Sequence, residues 1–311
     1  MSITRAADLG VELPKLPIDR SYDPVYGVVV QVAPGVRRVL AHNPNAFTFH
    51  GTGTYIVGTG TLAVIDPGPL QTEHVEALLA ATKGERISHI LITHTHNDHS
   101  PAALPLKQAT GAKTYGFGRH GGSRTNEGVD VEEGGDQAFE PDVVVRDGDL
   151  IEGDGFVFEA LHTPGHTSNH ICYGLKEAGA FFSGDHVMGW STTVIAPPDG
   201  NMAQYFQSLQ KLLVRKDNVY YPTHGNPVRE PQQFVLQLIA HRHAREEQIE
   251  VCVKHGLSSI TEMVGVIYSE IDKRMHPAAA RSVLAHLQHM VERGRVGCEG
   301  APTAGARYRP V

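Results

Sequence analysis

At 311 residues, with 41% apolar and 20% charged side chains and a net charge of −7, the chain has the make-up of a globular protein of one large or two unequal domains. That charge argues against broad attraction to nucleic acid or acidic lipid, and no stretch reaches the roughly 18 consecutive apolar residues of a membrane helix. Cys172, Cys252 and Cys298 are odd in number and far apart, and no apolar leader precedes the body, so a reducing cytoplasm is expected.

Residues 1–25 are proline-rich (Pro14, Pro17, Pro24) and are expected to lie as an arm over the body. From Tyr26 short strands follow, V-V-V-Q-V, V-R-R-V-L-A, T-Y-I-V-G and T-L-A-V-I-D-P-G, with glycine turns at Gly51–Gly53 and Gly58–Gly60. Val75, Leu78, Leu79 and Thr82 stand at helical spacing, with Gly84 as the expected C-cap. The β-branched run Ile87–Ile92 predicts a buried strand, followed by a short helix at 102–109 and a strand at 112–115. Residues 118–142 are Gly- and acid-rich without periodicity, either an active-site flap or a surface excursion.

Strands resume at 143–145, 156–161, 171–175 and 180–183. Met202, Tyr205, Phe206, Leu209, Leu212 and Leu213 predict an amphipathic helix capped by Asn201, and a last strand spans 219–221. After Pro231 the pattern is helical: a long helix to about 255, a second behind the Ser259–Glu262 capping box, and a third from about 277 to 293. In that third helix Ala280, Leu284, Leu287 and Val291 form the expected buried stripe, and Arg281, Ala285, Gln288 and Glu292 the outward face. The closing R-V-G-C-E-G and A-R-Y-R-P-V stretches can pair as a hairpin, completing a winged-helix outline over 232–311 behind a main domain at 26–231.

The densest chemical signal is T-H-T-H-N-D-H-S at Thr93–Ser100, on the loop leaving the Ile87–Ile92 strand. Imidazole and carboxylate groups packed this closely are the ligands of a borderline divalent metal such as zinc; manganese and iron(II) fit the same donors. His94 and His96, two apart, can face one side, while Asp98 and His99 can serve a neighbouring centre. Further candidates lie at later strand ends in glycine turns: His166 in T-P-G-H-T, Asp185 in F-F-S-G-D-H and His224 in Y-P-T-H-G. Ligation satisfies such groups where plain burial would be costly.

This order of motifs resembles the metallo-β-lactamase-fold superfamily of hydrolases, over roughly residues 26–225. The resemblance implies an α+β protein, an αββα sandwich with metals at one edge of the paired sheets. It implies one ion on His94, His96 and His166, another on Asp98, His99 and His224, and Asp185 bridging the two. Asp66 matches an early strand-end aspartate that orients a ligand histidine. A bridging aspartate sets the chain apart from true β-lactamases, and His96 from the iron-dependent redox branch. The T-P-G-H-T and G-D patterns, with a winged-helix-like end, look like glyoxalase II and a lactamase-β-like endoribonuclease branch, in which glutamine is common where this chain has His50. His50, His162, His170 and His186 are open between outer-shell or substrate contacts and plain structural roles.

The expectation is a dinuclear hydrolase using a metal-bridging hydroxide, with Asp98 as catalytic proton acceptor, on a small ester or thioester. The alternative is an endoribonuclease acting on single-stranded RNA; β-lactam hydrolysis as a side activity and mononuclear-iron persulfide chemistry are minor options. Residues 232–311 hold ten Lys/Arg against eight Asp/Glu, a weak footprint for RNA. A dimer contact or a wall of the active-site cleft is the other role open to that domain. A binding module with dead metal sites would lack ligands, whereas all seven positions are filled.

Overall fold

The computed structural model describes residues 3–121 and 134–311, so the expectation for 118–142 falls in part outside the described residues. Two sheets pack face to face. The first has seven strands in sequence order: β1 (Val29–Ala33), β2 (Val36–Leu40), β3 (Gly53–Thr59), β4 (Thr61–Ile65), β5 (Arg86–Leu91), β6 (Lys113–Gly116) and β7 (Val143–Val144). Its first four strands are antiparallel, and from β4 onward the pairing is parallel. Helices α1 (Thr72–Ala81) and α2 (Ala103–Thr110) make the crossovers that parallel strands require. The second sheet holds β8 (Leu150–Gly153), β9 (Phe156–His162), β10 (Ile171–Leu175) and β11 (Ala180–Gly184), then, after α3 (Met202–Leu213), β12 (Val219–Pro222), which pairs parallel to β11.

Strand parity sorts the side chains. Tyr55, Val57, Ala63, Ile65 and Leu91 of the first sheet meet Phe158, Ile171, Tyr173, Phe182 and Tyr221 of the second in one inner core. The alternate residues Ile56, Leu62, Val64 and Ile90 face α1 and α2. Cys172, Phe181 and Tyr220 face α3 and the first half of α4 (Pro231–Lys254). The expected αββα sandwich is therefore present, its two sheets hydrophobic on both faces.

A fourth core lies in the C-terminal part, where the second half of α4 packs with α5 (Ile260–Ile267), α6 (His276–Glu292) and the hairpin β13 (Val296–Cys298)–β14 (Tyr308–Pro310). Helix α4 is shared: Phe234, Val235 and Leu238 sit in the sandwich's outer core, while Ile249, Cys252 and Val253 sit in the C-terminal one. The N-terminal arm joins them too, inserting Ile3 and Leu9 into the C-terminal core and laying Leu16 on the sandwich.

Several local expectations hold. Asn201 accepts the Gln204 N–H at 2.9 Å, and Ser259 and Glu262 form a reciprocal capping box. Three differ. Helix α1 closes at Thr82, whose hydroxyl donates to Leu78 O at 2.9 Å, so Gly84 falls in the turn beyond it rather than at the cap. Strand β8 lies between 143–145 and 156–161 where no strand was expected; its signal was Asp154-Gly155, the dipeptide of tight hairpins. The supposed outward face of α6 is outward only in part: Glu292 is exposed, but Ala285 is buried against the α3–α4 layer and the half-buried Arg281 donates to Pro197 O at 3.4 Å. Among the described residues no helix is long and apolar enough to cross a membrane.

Candidate metal centre

All seven expected ligand positions converge at one edge of the sandwich, each on the loop that leaves a strand. His94, His96, Asp98 and His99 follow β5, His166 follows β9, Asp185 follows β11 and His224 follows β12; each is at most 7% exposed. His94 Nε2 and His96 Nδ1 are 3.0 Å apart, and His166 Nε2 is 3.2 Å from the same His96 nitrogen. Nitrogens about 2.0–2.1 Å from a tetrahedral zinc are roughly 3.3 Å from one another, so this trio has nearly the edges of a coordination polyhedron. Beside it, Asp98 Oδ2 lies 3.3 Å from His99 Nε2 and 3.1 Å from His224 Nε2. Asp185 Oδ2 is between the groups, 3.5 Å from His224 Nε2, 3.6 Å from His99 Nε2 and 3.9 Å from His166 Nε2.

The partners of the opposite ring nitrogens decide what faces inward. His166 Nδ1 donates to Val194 O at 2.7 Å and His224 Nδ1 to Gly51 O at 3.0 Å; carbonyls only accept, so in the neutral ring each Nε2 turns a lone pair to the centre. His99 Nδ1 is held by Asp66 Oδ2 at 3.0 Å with the same result. Thr93 Oγ1 gives its proton to Asp66 at 2.7 Å, which leaves it to accept from His94 Nδ1 at 3.1 Å. Converging lone pairs in a buried site need a cation or protons between them. Asp185 Oδ1 is buried without a hydrogen-bond partner among the described residues, a second mark of a site built for cations.

Electrostatics agree. Burial alone lowers an imidazole pKa, and it holds His94 and His96 well below the ordinary value, with their neighbouring histidines adding to the effect. Against the same burial, Asp98 and Asp185 hold His99 well above its ordinary value and push His224 up to about 10. Asp98 and Asp185 are held far below the carboxylate range: burial raises both, and the charges and hydrogen bonds of His99 and His224 outweigh it. A divalent ion entering here replaces those protons.

Asp66 sits at φ +48, a conformation a residue with a Cβ adopts at some cost, and accepts four hydrogen bonds. Besides His99 and the Thr93 hydroxyl these come from the Thr93 N–H at 2.8 Å and Thr223 Oγ1 at 3.0 Å. One carboxylate thus ties the ends of β4, β5 and β12 together. His170 is fully buried and accepts the Asp185 N–H at 3.2 Å, so it positions the central carboxylate's backbone. His186 is buried against Tyr205, at 4.9 Å between ring centroids. His162 stacks on Phe117 at 3.9 Å and reaches Ser168 O at 3.1 Å, while His50 lies on Phe49 at 3.9 Å; neither joins the seven.

Thr52 carries no sequence signal, and Thr95, although inside T-H-T-H-N-D-H-S, is not a metal-ligand type. Thr52 Oγ1 donates to Asp98 Oδ2 at 3.3 Å, and Thr95 Oγ1 links Asn169 at 2.8 Å to His120 at 3.0 Å. Glycine makes the close approaches possible: a Cβ on Gly165, at φ +144, would lie 2.5 Å from Tyr205 Cα, and one on Gly184, at φ +52, 2.7 Å from His170 Nε2. Above Asp98, His166, Asp185 and His224 opens a pocket whose remaining wall includes Phe47, Met188, Trp190 and, from the C-terminal domain, Met275.

Residues 48–224 match the model of the metallo-β-lactamase superfamily, and residues 259–304 that of the β-lactamase-associated winged helix domain. A β-lactamase-like protein 2 homolog of Drosophila melanogaster is 32% identical over 86% of this chain and 91% of its own length. An atrochrysone carboxyl ACP thioesterase of Claviceps purpurea is 30% identical over 78% of this chain and 74% of that one. The crystal structure of a β-lactamase domain protein from Burkholderia ambifaria superposes with a TM-score of 0.78 at 21% identity, over 94% of this chain and 96% of the other, a likeness of fold. The chain therefore belongs to the metallo-β-lactamase superfamily and is a metal-dependent hydrolase with that family's C-terminal winged helix domain.

Proposed function

We propose that the protein hydrolyses a small ester or thioester at a centre of two divalent cations, zinc first among them, with manganese and iron(II) suited to the same donors. His94, His96 and His166 would hold one ion, Asp98, His99 and His224 the other, and Asp185 would span both. The observation behind this is the set of outer hydrogen bonds to Asp66, Gly51 O, Val194 O and Thr93, which orients four imidazole lone pairs into one buried space. Bound there, the ions supply acidification of a water and polarisation of the substrate's oxygen.

The chain's own residues supply the rest. Asp98 lines the pocket and is placed to take up the proton of the attacking water, its carboxylate oriented by Thr52. His170 fixes the Asp185 backbone and Asp66 fixes His99, so neither has to reorganise during turnover. The thioesterase name of the Claviceps relative supports an acyl substrate for this chain. Against RNA stands α6, the helix a winged domain would present to a groove, whose Ala285 face is buried on the sandwich. Three cysteines without disulfides, two of them buried, support a cytoplasmic setting.

The test is a panel of thioesters, esters, lactones, β-lactams and labelled RNA, assayed with the metal-loaded protein and with Asp98→Asn. Turnover of an ester or thioester, reduced about 100- to 10,000-fold in the variant, is the expected result. Cleavage of RNA with every small ester ignored would overturn the assignment.

A further inference from the structure

Beyond the candidate ligands, the pocket over the centre is walled mainly by apolar side chains. Phe47, Met188, Trp190 and Met275 line it together with Ser191 and Thr192, the buried Trp190 indole N–H has no hydrogen-bond partner among the described residues, and no Lys or Arg lines the pocket among them. Trp190 is a constructed wall rather than a stray surface ring. Phe49 stacks on it at 4.7 Å with planes 11° apart. Gly225, at φ +84, leaves room for it, since a Cβ there would lie 3.0 Å from the indole. The N-terminal arm holds its backbone, Arg20 Nε donating to Trp190 O at 3.3 Å and the Asp19 N–H to Gly189 O at 2.9 Å. Phe49 itself has φ +59, an unfavourable conformation for a residue with a Cβ. Backbone strain of this kind persists where surrounding structure imposes it, and here Phe49 lies in a turn held by Asn45 and Thr48.

We propose that this is an acyl pocket: the carbonyl side of the substrate bears an uncharged, apolar chain or ring, and Trp190 and Met275 select it. The proposal rests on the hydrolase reading above and names the substrate class that reading leaves open. A thioester's leaving arm, as on a carrier protein or coenzyme, is rich in amides and phosphate, so the part that an uncharged apolar lining can desolvate is the acyl group. Methionine side chains are unbranched and adapt to chains of differing shape. Met275 belongs to the C-terminal domain, so that domain contributes a specificity-determining residue to a site otherwise built by the sandwich. The reaction breaks the acyl carbon–sulfur bond and forms a carbon–oxygen bond; water supplies the oxygen of the acid and the proton of the thiol.

The experiment uses the full-length, metal-loaded protein and thioesters of N-acetylcysteamine with acetyl, butyryl, hexanoyl and succinyl groups, the last as long as butyryl but anionic. The expected kcat/KM rises about 4-fold per methylene from acetyl to hexanoyl, and succinyl falls about 10-fold or more below butyryl. Trp190→Ala and Met275→Ala lower the hexanoyl-to-acetyl ratio by about 10-fold, chiefly through KM, while Trp190→Phe keeps most of it. Bound metal measured in each variant confirms that the centre is intact. A flat series, succinyl at or above butyryl, or a ratio untouched by both alanine variants overturns the acyl pocket alone. No turnover of any member with both ions bound overturns the hydrolase reading, and the pocket with it.

Discussion

Replacing Asp66 by asparagine isolates the part of the site that never touches a cation. The carboxylate gathers three donors on Oδ2, from Thr93 Oγ1, Thr223 Oγ1 and His99 Nδ1, and one on Oδ1, from the Thr93 N–H. An amide nitrogen placed at Oδ2 would face three donors and at Oδ1 only one, so the asparagine settles with its oxygen toward His99. His99 then keeps a neutral acceptor in place of a charged one, a loss of about 1 kcal/mol or more, and the Thr93 N–H is left unsatisfied at a further cost of about 1–3 kcal/mol. Loss of such an outer partner lowers metal affinity roughly 10- to 100-fold. The loss falls on the Asp98–His99–His224 group, because His94, His96 and His166 do not contact Asp66. Titration against a competing chelator, with metal content read by elemental analysis, should show one ion held as in the wild type and one released early. Two ions retained at wild-type affinity would refute the role given to Asp66, and a wild-type protein that binds a single ion at saturation would refute the dinuclear assignment.

Other outcomes follow from the same contacts. Chelation of the metals should lower the unfolding temperature, since a cation at a thousand times its Kd stabilises the native state by about 4 kcal/mol; calorimetry with and without chelator measures it, and coincident transitions would contradict a metal-organised centre. Gly165→Ala forces a Cβ to within 2.5 Å of Tyr205 Cα at φ +144, so a destabilisation of roughly 3 kcal/mol or more is expected in urea, with loss of the His166-bound ion. Glu246, 1% exposed on α4, is raised by burial, yet His286, 3.5 Å away, and the hydrogen bond from His289 bring it down to about 2. A depressed carboxylate stabilises the fold above its ordinary value of 4.5, and that contribution is lost as pH falls through about 2. Urea titrations should therefore show wild-type stability falling across this window. Glu246→Gln should be flatter there and weaker by roughly 3–5 kcal/mol at neutral pH, because Arg295 and His289 lose their partner. Parallel pH profiles for the two proteins would remove Glu246 from that role.

Much of this protein could be read along the chain because its signals are local. Strand parity is one: Tyr55 and Val57 face one way and Ile56 the other whatever else the chain does, so two-faced burial is written as runs of apolar residues. The seven residues of the candidate centre are another, since each is a histidine or aspartate beside a strand end, and T-H-T-H-N-D-H-S concentrates four of them. Capping is a third, as at Asn201 and Ser259. What folding alone decided involves partners far apart in sequence. Nothing near Ala285 announces that its helix face is covered by α3 and α4, nothing near Ile3 that it belongs to the C-terminal core, and nothing near Met275 that it lines the metal pocket. The direction of each imidazole lone pair is of the same kind, set by Val194 O, Gly51 O and Asp66 from 28, 173 and 33 residues away. A residue's type limits which atoms it can offer, and is legible alone; which atom it meets depends on how separate stretches of chain pack, and is not.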